Sequence, residues 1–163
     1  MRESYKKTFE TIYSQHHPMV LQMCLGYMKG DRDTANDLSQ EVFISVWNSL
    51  DKFKGASSYK TWIYRITVNT CLQYIKKEKA SPIICENSRP IIAENDDSTD
   101  DNIQELYKAI GQLKKIDRLI IMMVLENQNH DSISEVIGLK PTNVRVKIHR
   151  IKKRLETILK HQQ

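Results

Sequence analysis

The chain has 163 residues, with 25 Lys plus Arg against 20 Asp plus Glu and a formal net charge of +5. That length holds one domain or two small ones and excludes a large enzyme barrel; 40% apolar and 28% charged residues exclude a disordered chain, and only 5 Gly and 4 Pro exclude a collagen-like one and favour helices over short strands and turns. The charge is divided: +4 over residues 1–80, −5 over 81–101 and +6 over 102–163, so a polyanion is the expected partner of two basic blocks joined by an acidic segment.

Residues 1–80 read as helical, in a bundle of about four helices. Tyr5, Phe9, Ile12 and Tyr13 share one face, and Val20, Met23, Cys24 and Tyr27 share another, before Lys29-Gly30-Asp31 breaks the run. A third run carries Leu38, Val42, Phe43, Val46, Trp47 and Leu50, with Asp31 or Asp33 placed to cap it. Asp37 and Glu41 stand four apart, a like-charged pair that costs a few tenths of a kcal/mol. A solvated face accounts for it plainly; a basic partner accounts for it functionally. No nucleophile or metal-ligand cluster accompanies these carboxylates, so no catalytic centre is expected.

A fourth run carries Tyr59, Trp62, Ile63, Ile66, Thr70 and Tyr74, with Ser57 or Ser58 as its cap. Tyr59, Trp62, Tyr64 and Tyr74 alternate with Lys60, Arg65, Lys76, Lys77 and Lys79, and Phe53 precedes them between Lys52 and Lys54. Cations that follow phosphates beside rings that stack on bases suit single-stranded nucleic acid. The competing account makes Trp62, Ile66 and Tyr74 core and the cations a solvated face, and composition alone favours it.

Residues 81–101, with Pro82, Pro90 and a polar acidic tail, read as a linker. Beyond it, Leu106, Tyr107, Ile110 and Leu113 start one helix, and Leu119, Ile120, Met123 and Val124 mark the next. Ser132 and Glu135 have capping-box spacing, Gly138 suits a left-handed helix end, and Pro141 suits a first helical position. The last helix buries Val144, Ile148, Ile151, Leu155 and Leu159. A short helix, a Gly turn and a long basic helix make a helix-turn-helix, whose second helix reads the major groove. Thr142, Asn143, Arg145 and Lys147 lie off the buried stripe in its first turns, and Val146 is placed to meet a thymine methyl. His130, Asp131 and Ser132 are adjacent in sequence and form no hydrolytic triad.

Cys24, Cys71 and Cys85 are dispersed, as free thiols in a reducing cytoplasm are, and no cofactor or metal site is expected. The longest apolar run, Leu119 to Leu125, has seven residues, against about 18 for a membrane span. The first ten residues carry charges where a signal peptide needs an apolar core, so neither export nor membrane insertion is expected.

The halves together resemble the extracytoplasmic-function (ECF) group of bacterial RNA polymerase sigma factors. The segment DLSQEVFISVW, Asp37 to Trp47, resembles the polymerase-binding part of region two. Phe53 to Lys77 resembles the promoter-melting and minus-ten segment, and Ser132 to Leu155 resembles region four. The resemblance implies two small helical domains: region two over 1–80 and region four over 102–163, with the linker between them.

It implies core RNA polymerase as partner, through the beta and beta-prime subunits, with Asp37, Leu38, Gln40, Glu41 and Phe43 on the clamp helices. Phe53, Lys54, Ser57, Ser58, Lys60, Arg65, Asn69, Gln73 and Lys76 would face melted minus-ten DNA, where extruding a base costs a few kcal/mol. Trp62 is assigned mainly to the core. Thr142, Asn143, Arg145, Lys147 and Arg150 would face the minus-thirty-five element. Gln73 stands where members carry Asp or Asn, and Lys140-Pro141 replaces smaller residues before the recognition helix. An anti-sigma protein is also expected, and with it a tether to the membrane. The rival readings are a helix-turn-helix regulator that footprints DNA without polymerase, and a helical nucleic-acid enzyme.

Overall fold

The computed structural model describes residues 1–80 and 101–162, the side chains of 75–80 excepted. The expected linker falls outside the described residues, Cys85 with it, except for Asp101, which opens a helix. In chain order the elements are α1 (Arg2–Tyr27), α2 (Arg32–Ser49), a 3-10 turn (Leu50–Lys52), α3 (Tyr59–Ala80), α4 (Asp101–Gly111), α5 (Lys115–Leu125), α6 (His130–Ile137) and α7 (Pro141–His161). Every regular element among the described residues is helical, so the fold is all-α, as expected.

The first two predicted runs are one helix, α1, which passes through Pro18 without ending. A proline inside a helix removes one backbone hydrogen bond and crowds the preceding turn. Here Ile12 on one side of it and Met19, Val20, Met23 and Cys24 on the other are all buried. Each such side chain contributes about 1.5–3 kcal/mol by leaving water, which outweighs the local penalty.

Asp31 caps α2: its carboxylate accepts from the Thr34 amide at 3.4 Å and from the Thr34 hydroxyl at 2.7 Å. Ser58 caps α3, its Oγ accepting from the Thr61 amide at 3.1 Å. At α6 the expected Ser132 capping box does not form. The helix starts earlier, and Asn129 Oδ1 accepts from the Ser132 amide at 2.8 Å. Asn127, at φ +60, turns the chain left-handed two residues before this cap. Gly138 ends α6 at φ +82, its amide donating to Ser134 O at 2.8 Å, and Pro141 starts α7.

The two halves share one continuous core. Val20, Met23, Leu38, Val42, Ile63 and Val68 of the first half belong to the same buried cluster as Ile110, Leu119, Ile120, Met123 and Ile133 of the second. Helix α1 packs on α4 and α5, and α3 packs on α6. The approach of α1 to α5 requires a residue without a side chain at Gly26, because a Cβ there would stand 2.2 Å from Met122 Sδ. Polar groups close the seam: Tyr107 donates to Gln22 Oε1 at 2.6 Å, and Arg118 donates across it to Tyr27 O at 3.2 Å while its Nε is held by Leu113 O of its own half at 2.9 Å.

Candidate polymerase and nucleic-acid interfaces

Helix α2 sorts its residues by its period. Asp37, Gln40 and Glu41 are exposed, whereas Leu38 is 1% and Phe43 4% exposed. Leu38 and Phe43 were expected on a partner surface; they are core instead, Phe43 packed on Phe9, Tyr13 and His17 of α1. Their alternation with the polar residues is what any amphipathic helix shows. The outer face holds Ile44, 59% exposed, and Trp47, 40% exposed, beside the acidic pair. Sequence reasoning missed Ile44, although its spacing of four from Gln40 and three from Glu41 places it on their face. Trp47 is pinned by Tyr5 and Phe9, with ring centroids 4.9 and 5.0 Å away. The surface is therefore acidic around a firm apolar centre.

The loop before α3 and the first turns of that helix build an aromatic step. Phe53 stacks on Tyr59 at 4.5 Å with 27° between planes, and Trp62 lies 5.0 Å from Phe53. Lys54, Ser58, Tyr59 and Lys60 are exposed around it, and Ser57 is half-buried. Ser58 spends its hydroxyl on the helix cap, so its first role is to shape this loop. Trp62 is half-buried against the core, in keeping with its expected place. Tyr64, one of the rings that alternate with cations in the sequence, is buried, and burial with Glu126 nearby holds its hydroxyl well above the usual phenol range.

Further along α3, Asn69 and Gln73 are exposed, and with Arg65 they repeat at intervals of four on one stripe. Lys76 extends that stripe in sequence, but its side chain lies outside the described residues. Arg65 is half-buried, its Nε donating to the Glu135 carbonyl of α6 at 3.2 Å. In this arrangement Arg65 is turned onto the second half of the chain.

Helix α7 buries Val144, Ile148, Ile151 and Leu155 and leaves Leu159 half-buried. Thr142, Asn143, Arg145, Val146, His149 and Arg150 are exposed. Lys147 is not free: its ammonium lies 2.9 Å from Asp117 Oδ1, in the first turn of α5. From Lys140 to Gln163 there are eight basic side chains and one acid, Glu156. The outward face is thus a cationic surface with polar and apolar groups in its first turns, which is how major-groove helices are composed. No cluster of metal-ligating side chains and no helix long and apolar enough to cross a membrane occurs among the described residues.

Two family models match the chain, one in each half. The family model for Sigma-70 region 2 matches residues 12–81, and that for Sigma-70 region 4 matches residues 103–155. The ECF RNA polymerase sigma-E factor of Haemophilus influenzae is 24% identical, over 96% of this chain and 89% of that protein. The ECF RNA polymerase sigma factor SigX of Bacillus subtilis is 26% identical, over 89% and 80%. Among solved structures, the sigma factor RpoE of Bartonella quintana, in complex with the anti-sigma factor NepR, superposes with a TM-score of 0.77 at 21% identity, over 96% of this chain and 99% of that one. CnrH in complex with the cytosolic domain of CnrY superposes at 0.72 and 18%, over 97% and 91%. These two are alike in fold. Two regions of one family, matched in order over more than half of the residues, show that the chain belongs to the sigma-70 family of RNA polymerase sigma factors, in its extracytoplasmic-function group.

Proposed function

We propose that the chain directs core RNA polymerase to specific promoters by dividing three tasks among three surfaces, with no catalytic step of its own. The exposed face of α2, with Asp37, Gln40, Glu41, Ile44 and Trp47, binds the polymerase clamp helices. The aromatic step and the exposed Asn69 and Gln73 beyond it on α3 capture the melted minus-ten strand. The outward face of α7 reads the minus-thirty-five duplex. Region two spans residues 1–80 and region four 102–163, with the acidic segment as the linker between them.

The observation that carries this reading is the separation of charge: exposed carboxylates on α2, and exposed cations on α7 and around Phe53. An acidic face cannot serve the same polyanion as the basic ones. The Asp37–Glu41 pair, which works against its own helix, is explained by a basic partner.

We also infer an anti-sigma protein as the controlling partner, and a cytoplasmic location where that protein meets it. The likeness to RpoE and CnrH supports this, since each of those was solved in a complex, RpoE with an anti-sigma factor and CnrH with a cytosolic domain.

The test is retention of the full chain on immobilised core polymerase. Replacing Asp37, Gln40 and Glu41 together by Ala is expected to lower retention at least tenfold, with the helical content unchanged. Retention equal to that of the wild type refutes the assignment of α2. A footprint on promoter DNA by the pure chain, unaltered by polymerase, supports the rival reading of an independent regulator.

A further inference from the structure

Helix α7 does not offer its residues to DNA equally. At 100° per residue, the direction opposite the buried stripe of Val144, Ile148, Ile151 and Leu155 is occupied by Thr142, Val146, His149 and Lys153. All four are exposed. Lys147 lies to one side of that direction, and its ammonium is drawn to Asp117 on α5 at 2.9 Å. The Asp117 side chain is only 14% exposed, so moving Lys147 into a groove would strand a mostly buried carboxylate.

Val146 is the one large apolar side chain exposed on α7, at 49%. A β-branched residue is a poorer helix former than the Lys or Arg around it, and packing does not require it, because it touches no core. Polar and cationic groups ring it: Thr142 one turn before, His149 and Arg150 one turn after. An isolated exposed valine means nothing on most helices. At the centre of the outward face, within the first two turns of a major-groove helix, it meets the one apolar group that bases display there, the C5-methyl of thymine.

We propose that Val146 is a specificity-determining residue that selects thymine through its methyl group in the duplex element read by α7, and that Asp117 is a positioning residue that keeps Lys147 out of the groove. This rests on the reading of α7 as the duplex-reading helix of a polymerase subunit.

The experiment uses the full chain bound to core polymerase, with a pool of duplexes randomised over a window of two helical turns. Retained duplexes are sequenced, and each enriched thymine is then replaced by uracil, which pairs identically but lacks the methyl. Burial of one methyl group predicts about three- to fivefold weaker retention for uracil at one position. The Val146→Ala variant, changed at an exposed site and checked for unchanged helical content, is expected to narrow the difference between thymine and uracil duplexes, because two of the three side-chain carbons that can touch the base methyl are gone. Lys147→Gln is expected to enrich the same sequence as the wild type and to keep its thymine preference, whereas Asp117→Asn, which releases the Lys147 ammonium, is expected to enrich an altered sequence that reverts when Lys147→Gln is added. Retention indifferent to uracil at every position, a uracil effect undiminished by Val146→Ala, a new enriched sequence with Lys147→Gln, or an unaltered one with Asp117→Asn overturns the proposal while the reading of α7 stands. If no sequence is enriched beyond that retained by core polymerase alone, the reading of the chain as a promoter-specificity subunit falls, and this inference with it.

Discussion

Substitution of Leu38 by Ala separates the two roles that neighbouring residues of α2 play. Leu38 is 1% exposed and lies in the core with Val42 and Phe43. Truncation removes three buried carbons, about 2.4 kcal/mol at about 0.8 kcal/mol each. The cavity left behind adds about 1–2 kcal/mol more, within the range of Leu→Ala changes in well-packed cores. The expected loss is thus about 3.5–4.5 kcal/mol. At about 2–4 °C per kcal/mol for a chain of this size, the midpoint of thermal unfolding drops by roughly 10 °C. Exposed Asp37 and Glu41 behave oppositely. Their replacement by Ala stays within about 0.5 kcal/mol and relieves an i,i+4 repulsion. Circular dichroism melts, paired with retention on core polymerase below the melting range, give both readouts. Leu38→Ala lowers the midpoint and keeps retention; Asp37→Ala with Glu41→Ala keeps the midpoint and loses retention. A Leu38→Ala protein that melts with the wild type but no longer binds polymerase would refute the burial of α2 as described.

Three further outcomes follow from the geometry. Asn129→Ala removes the observed cap of α6 and costs about 1 kcal/mol, whereas Ser132→Ala changes stability by less than about 0.5 kcal/mol; denaturant melts that rank them in reverse would move the helix start to Ser132. Burial, with Lys60 nearby, lowers the His16 pKa below 6.5, so at and below about pH 6.5 the unfolded chain binds more protons than the folded one. Stability contributed by neutral His16 is therefore lost as pH falls below that value, and His16→Gln is expected to flatten the stability profile there; an unchanged slope contradicts it. Gly26→Ala gains about 1 kcal/mol of helix propensity but drives a methyl into Met122, at about 1–3 kcal/mol for overpacking. Calorimetry should show no net gain, and a full gain would mean that α1 and α5 are not in close contact.

Much of this was legible in the sequence where a local chemical rule sets the structure. Asp31 and Ser58 cap their helices because each places an oxygen before free amides, and Gly138 and Pro141 punctuate the helix-turn-helix for reasons confined to one or two residues. What depends on distant partners was not legible. The two apolar faces read in residues 5–27 belong to one helix, and burial on both sides of Pro18 carries α1 through it. Leu38, Phe43 and Tyr64 sit in motifs whose resemblance points outward, and only the packing of α1, α2 and α3 shows them buried. Lys147 looks as available as Arg145 until Asp117, thirty residues earlier, is found beside it. Likewise Arg65 looks free until α6 supplies the Glu135 carbonyl. The net charge of +5 hides the separation that matters most, because the acidic face of α2 lies within a basic block and disappears in any sum over it.

The most direct test of the account is initiation by purified core polymerase on fragmented genomic DNA, with and without the full chain, and with the RNA 5′ ends mapped. The account predicts a set of new start sites that share two upstream elements and that vanish when Asp37, Gln40 and Glu41 are replaced by Ala. The same start sites from core polymerase alone, or no new ones when the wild-type chain is added, would contradict it.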